Sequence, residues 1–158
     1  MNIQNAVEKG FNILKNHNIK SSVLDSEILL SKAIQKDRKF IILNPKVELD
    51  TQSNLYFDFL INQRSKGKPI AYILGKKEFW KYEFIINEDV LIPRPDTELI
   101  VEQVLKMTKN KPKLSILDIG VGSGCILLSI LKERKNYKGI GIDISKKCID
   151  ICKINTFK

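Results

Sequence analysis

The sequence predicts an α/β chain: a small N-terminal helical bundle, a β-hairpin linker, and the start of a parallel sheet. Three observations predict it. Apolar residues recur at helical spacing through residues 2–66. Aromatic and β-branched residues crowd residues 70–92. An apolar run over residues 116–119 then breaks into glycines at every second position, Gly120, Gly122 and Gly124, followed by a helical pattern and a second apolar run.

Taken in order, Ile3, Val7, Phe11 and Leu14 mark a first helix. A second opens near Ser21 or Ser22, with Leu24, Ile28, Leu29 and Ala33 on its apolar side. A short apolar segment at 40–43 stops at Asn44-Pro45. A long helix opens near Asp50, carries Leu55, Phe59 and Leu60, and ends at Gly67 with Pro69 just beyond, which is a stop signal. Short links between amphipathic helices suggest a bundle. Residues 71–74 and 78–86 read as strands joined by short turns. Pro95 holds Arg94 extended. Asp96 or Thr97 can cap the next helix, with Glu98 favourable in its first turn. Residues 114–119 read as a buried strand, 124–135 as a helix, and 139–144 as a second apolar strand followed by a helix. The expected domains are 1–68, 69–92 and 93–158.

The composition is globular: of 158 residues, 43% are hydrophobic and 28% charged. No apolar run approaches the ~20 residues of a membrane span, and MNIQNAVEKG lacks the layout of a secretory signal. A cytoplasmic chain without a membrane contact is expected. The net charge of +9 raises the question of nucleic acid. Yet only four of the 27 basic residues are arginine (Arg38, Arg64, Arg94, Arg134), and the lysines are scattered. Planar phosphate and base recognition favours arginine, so the composition argues against direct nucleic-acid binding. Cys125, Cys148 and Cys152, with the single histidine His17, do not complete a zinc site. Reduced, buried or half-buried thiols are expected, with His17 on the surface of the first helix.

The glycines sit where a strand turns into a helix, a place that permits unusual dihedrals and close approach of a ligand. Such a loop can serve a dinucleotide, but the fingerprint for that is G-x-G-x-x-G/A. Here the spacing is G-x-G-x-G, and the third fingerprint position is Cys125. Asp118 stands two residues before Gly120. A carboxylate there repels a pyrophosphate and attracts a positive amino group. S-adenosylmethionine is such a ligand, with an ammonium, a sulfonium and no phosphate. Asp143 ends the second strand, 19 residues after Gly124, where a ribose would lie. A tight structural turn is the other reading of the loop, and a helix cap or solvated carboxylate the other reading of Asp143.

Four runs together point further: KGKPIAYILGKKEFW (66–80), LIPRPDTELIVE (91–102), LDIGVGSG (117–124) and GIDIS (141–145). They resemble the N-terminal part of the bacterial methyltransferases that modify peptide-chain release factors. The resemblance implies a helical domain, a hairpin linker and a Rossmann-like class I methyltransferase sheet, here incomplete. It implies transfer of a methyl group from S-adenosylmethionine to the side-chain amide nitrogen of the glutamine in a GGQ motif. By position, Gly120, Val121, Gly122, Ser123 and Gly124 would line the cofactor and Asp143 would hold its ribose. Asp118 would face the methionine end, and Arg94, Pro95 and Thr97 would border the same pocket. Phe79 and Trp80 could face substrate or fill a packing junction.

Three departures qualify the resemblance. Asp96 stands where the family usually has glutamate, and Lys81 where a glycine is common. The family's catalytic Asn-Pro-Pro-Tyr is absent; the only Asn-Pro is Asn44-Pro45. No catalytic residue is therefore assigned, and the chain alone is expected to be inactive, with an unstable C-terminal third. The partner implied is a release factor, and a monomer is expected. Two other readings stand beside this one: an amino-methyltransferase acting on nucleic acid, and a non-catalytic release-factor docking module.

Overall fold

The computed structural model describes residues 1–157. Two compact units divide the chain, Met1–Leu74 and Gly75–Lys158.

The first unit is helical: α1 (Ile3–Asn16), α2 (Ser22–Ile34), α3 (Arg38–Leu43), α4 (Thr51–Ser65) and α5 (Ile70–Leu74). Polar residues set its helix starts. The Asn2, Asp37 and Asp50 side chains accept from the amides of Asn5 (2.9 Å), Phe40 (2.7 Å) and Ser53 (2.8 Å), satisfying donors that have no intrahelical partner. Ile3, Leu14, Leu29, Leu30, Phe57 and Ile61 form the buried core. Gly10 is buried in α1. A Cβ at Gly10 would lie 2.4 Å from Ser26 Oγ and 2.8 Å from Phe57 Cζ, so the absence of a side chain is what lets α2 and α4 approach α1. Ser26 donates its hydroxyl to Val7 O at 2.8 Å. Buried Asp25 accepts from Arg64 Nε at 2.7 Å and from the Ser21 hydroxyl at 2.8 Å, so its carboxylate is paired.

Residues 71–74 are helical, which corrects the expectation of a strand. Pro69 begins the turn, its carbonyl accepting from Tyr72 (3.0 Å) and Ile73 (3.2 Å). Ile70 and Ile73, three apart, both pack on the helical core. That spacing suits a helix face and would split the pair across a strand.

The second unit opens with an antiparallel hairpin, β1 (Lys76–Phe79) and β2 (Tyr82–Ile85). Phe79 pairs with Tyr82, leaving Trp80-Lys81 as a two-residue turn. Trp80 takes φ 58°, a left-handed conformation usually left to glycine. Two carboxylates hold it there: Glu98 accepts from its amide (2.9 Å) and Glu133 from its indole N–H (3.0 Å). Phe79 is fully buried with Phe84, Val101 and Ile130, so it is a core residue of this unit. Arg94 is extended as expected, with φ −100° and ψ 143°, ahead of a 3-10 turn over Pro95–Thr97. The turn feeds directly into α6 (Glu98–Met107). Thr97 has helical backbone and no side-chain capping bond, so the expected hydroxyl cap is not formed.

β3 (Ser115–Ile119), α7 (Cys125–Glu133), β4 (Lys138–Ile142) and α8 (Lys146–Thr156) follow. β3 and β4 are parallel, in register from Ser115↔Lys138 to Ile119↔Ile142, which is the expected strand–helix–strand unit. β3 is not the buried strand that its apolar run suggests. Ile116 packs on the core, whereas Leu117 and Ile119 lie exposed beside Ile140 and Ile142; Ile119 is 76% and Ile140 64% accessible. Successive side chains alternate faces, and only one face of this sheet is covered. Among the described residues no helix is long and apolar enough to cross a membrane.

Candidate functional site

The loop between β3 and α7 is a sequence of left-handed turns: φ is 83° at Gly120, 54° at Gly122 and 82° at Gly124. The three glycines serve different ends. A Cβ at Gly120 would meet nothing within 4 Å, and one at Gly122 only the Gly120 carbonyl at 3.9 Å. These two therefore keep one face of the backbone bare and open. A Cβ at Gly124 would strike Cys152 Sγ at 2.7 Å and Leu128 Cδ1 at 2.8 Å. Gly124 is thus a packing glycine that lets the start of α7 approach α8.

The amides of the loop are mostly engaged within the protein. Gly120 and Val121 both donate to Ile142 O (2.8 and 3.0 Å), and Gly124 to Val121 O (2.8 Å). Gly122 donates to Asp143 Oδ2 at 2.9 Å. A phosphate cradle needs such amides turned outward to the anion. Here four of them are committed, and the open face of the loop is poor in donors.

Carboxylates dominate instead. Asp143, just beyond β4, accepts from the Ser145 amide at 2.9 Å as well as from Gly122, and these two bonds hold its carboxyl below the usual range. Each oxygen takes one amide, leaving acceptor capacity for hydroxyls. Asp118 in β3 moves the other way. Burial pushes its carboxyl up; the Leu127 amide opposes this, and the charge of Asp143 adds to it. Neither carboxylate has an ion-pair partner among the described residues. Burial also pushes the Cys125 and Cys152 thiols up, with the charge of Asp118 acting in the same direction. The region is an acceptor-rich, negatively biased surface beside a bare stretch of backbone.

The other expected residues fall into two groups. Val121 and Ser123 are buried, and Val121 Cγ2 would lie 2.7 Å from a Cβ on Gly141, so these side chains support the loop from inside. Arg94 and Pro95 are exposed and Thr97 is half-buried. Among the described residues no hydrogen bond or ion pair joins Arg94, Pro95 or Thr97 to residues 118–124. Two residues escaped the sequence reading. Glu98 braces the hairpin turn through Trp80. Asn155 donates its side-chain amide to the Ser123 carbonyl at 2.9 Å. Glu98 lies in the 91–102 run, which does not disclose this contact, and Asn155 belongs to no recognisable spacing pattern; their partners reveal both roles.

Known proteins share this arrangement in sequence. The family described as the PrmC N-terminal domain matches residues 5–75. A release factor glutamine methyltransferase of Buchnera aphidicola subsp. Acyrthosiphon pisum is 39% identical over 158 residues, covering all of this chain and 56% of that protein. Those of Clostridium acetobutylicum and Coxiella burnetii are 42% and 40% identical, covering 98% and 86% of this chain and 54% and 49% of their own lengths. The chain spans about half the length of the curated relatives it matches. Through both units the chain is thus similar to release factor glutamine methyltransferases, and its helical part matches the PrmC N-terminal domain.

Proposed function

We propose that the loop after β3 binds S-adenosylmethionine. In this reading the chain holds the cofactor in an enzyme that methylates the side-chain amide of a release-factor glutamine, in the GGQ motif. One observation carries the reading. The loop turns four amides inward and presents two carboxylates, Asp118 and Asp143, without a cationic partner. Such a surface disfavours a pyrophosphate and suits a cationic nucleoside. Asp143 would accept from the ribose hydroxyls, Asp118 would face the ammonium end, and the bare backbone at Gly120 and Gly122 would lie against the ligand. Arg94, Pro95 and Thr97 would border it. When bound, the cofactor supplies an electrophilic methyl on sulfur.

The acceptor is an amide nitrogen, whose lone pair is delocalised, so catalysis rests on gripping and aiming that amide. The resemblance implies an Asn-Pro-Pro-Tyr run for this, and these 158 residues contain none. We therefore assign no catalytic residue here and expect no transfer by this chain alone. Residues 1–68 are the part we assign to docking the release factor, in the cytoplasm.

Calorimetry tests the reading. S-adenosylhomocysteine should bind, NADH should not, and Asp143→Ala should weaken binding about tenfold or more, as expected for loss of a charged hydrogen-bond acceptor. NADH binding with no response to S-adenosylhomocysteine overturns it. Robust labelling of release factor by the 158-residue chain would overturn the expectation of no transfer by it alone.

A further inference from the structure

Asn155 lies in the last turn of α8 and is 2% accessible. Its side chain is engaged on both sides. Nδ2 donates to Ser123 O at 2.9 Å and to Ile85 O at 2.9 Å, and Oδ1 accepts from the Ile85 amide at 2.7 Å. Both donors and one acceptor site of the amide are thus used. One side chain joins three elements of the second unit: the glycine loop, the end of β2 and α8. Ser123 sits between Gly122, whose amide is tied to Asp143, and Gly124, where α7 begins.

We infer that Asn155 is the positioning residue of the cofactor loop. Drawing the Ser123 carbonyl inward fixes the peptide that follows it and sets the orientation of the turn whose other side, at Gly120 and Gly122, is bare. A buried, fully engaged amide specifies one conformation in a way an apolar residue of the same size cannot. The chemistry admits no simple substitute. Aspartate at 155 could still accept from Ile85 but would face two carbonyls without a donor; alanine would leave all three groups unpaired. The inference rests on the cofactor reading for its functional meaning, while its structural half can be measured separately.

The experiment compares Asn155→Asp and Asn155→Ala with Val101→Ala, a cavity variant in the fully buried core of the same unit. Hydrogen exchange at the Gly122 and Gly124 amides and calorimetric binding of S-adenosylhomocysteine are read in each. In the Asn155 variants, exchange at those amides should rise about tenfold beyond the rise caused by Val101→Ala, and binding should weaken about tenfold. Val101→Ala should keep its affinity within about twofold once its lower stability is allowed for. Equal changes in all three variants, or unchanged loop exchange, overturn the inference. Should wild-type chain fail to bind while the loop amides still respond selectively to Asn155, the cofactor reading falls and the positioning stands. If the variants do not fold, the wild-type chain decides. The Asn155 side-chain amide protons should be protected from exchange as strongly as the Gly122 amide, and exchange at an unprotected rate overturns the inference.

Discussion

The two units treat their buried and half-buried carboxylates in opposite ways. In Met1–Leu74, Asp25 is matched to Arg64 and Ser21, and Ser26 to a carbonyl. Apolar residues are exposed there too, and on α4 Tyr56 and Phe59 stack with their ring centroids 6.4 Å apart. In Gly75–Lys158, two carboxylates at the glycine loop have no cation among the described residues, and four exposed apolar residues of the sheet are contiguous. The strand register sets Leu117 beside Ile140 and Ile119 beside Ile142. A contiguous apolar patch marks a surface meant to be covered, and an unmatched carboxylate beside open backbone marks a place for a ligand. The first unit pairs its buried carboxylate internally; the second leaves its loop carboxylates and one sheet face open.

The sharpest test of that contrast is Phe57→Ala. Phe57 is fully buried among α1, α2 and α4, and its removal should cost about 3–5 kcal/mol. Amide exchange should report the loss within residues 1–74; an equal loss across the second unit would break the contrast.

A smaller effect is expected at the loop. The Asp118 carboxyl is raised above its ordinary value, so its ionised form costs stability at neutral pH. Asp118→Asn should therefore stabilise the ligand-free chain slightly, while weakening cofactor binding. The gain should vanish as pH falls into the carboxylate range, where Asp118 is protonated. Asp143 has the opposite sign. Its carboxyl is lowered, so its contribution is present above the ordinary carboxylate value and is lost as pH falls through the lowered one. Thermal melts of both asparagine variants across pH read the two signs directly, and a shared sign would show that the carboxylates do not differ in environment.

The smallest effect should come from Ile140→Thr. On an exposed face the substitution should change stability by no more than about 0.5 kcal/mol, while lowering the binding of an apolar dye. A cost of several times that would mean that this face is already covered.

Much of this was legible in the sequence. The helices over 3–34 and 51–65 announce themselves through periodicity and through Asp50, and the glycine spacing with Asp118 and Asp143 locates the loop before any coordinates. What could not be read has physical reasons. Residues 70–74 include two isoleucines and a tyrosine, which favour a strand, but packing of Ile70 and Ile73 on one core overrides that propensity. The 3-10 turn at Pro95 replaces a side-chain cap that the residue types at 96 and 97 suggest. Asn155 is a single polar residue at the end of an amphipathic helix, and its importance lies entirely in partners 32 and 70 positions away.

The glycines of β4 carry a last consequence. A Cβ on Gly139 would lie 2.7 Å from Leu131 Cδ1 and one on Gly141 2.7 Å from Val121 Cγ2, so the helix-covered side of this strand is bald. Ile140 and Ile142 stand on the other side. Sliding the strand by a single residue would drive a branched side chain into space where even a methyl collides. Smoothness on one side thus acts as a ratchet, locking β4 against β3 in one alignment and fixing the height at which Asp143 meets the loop.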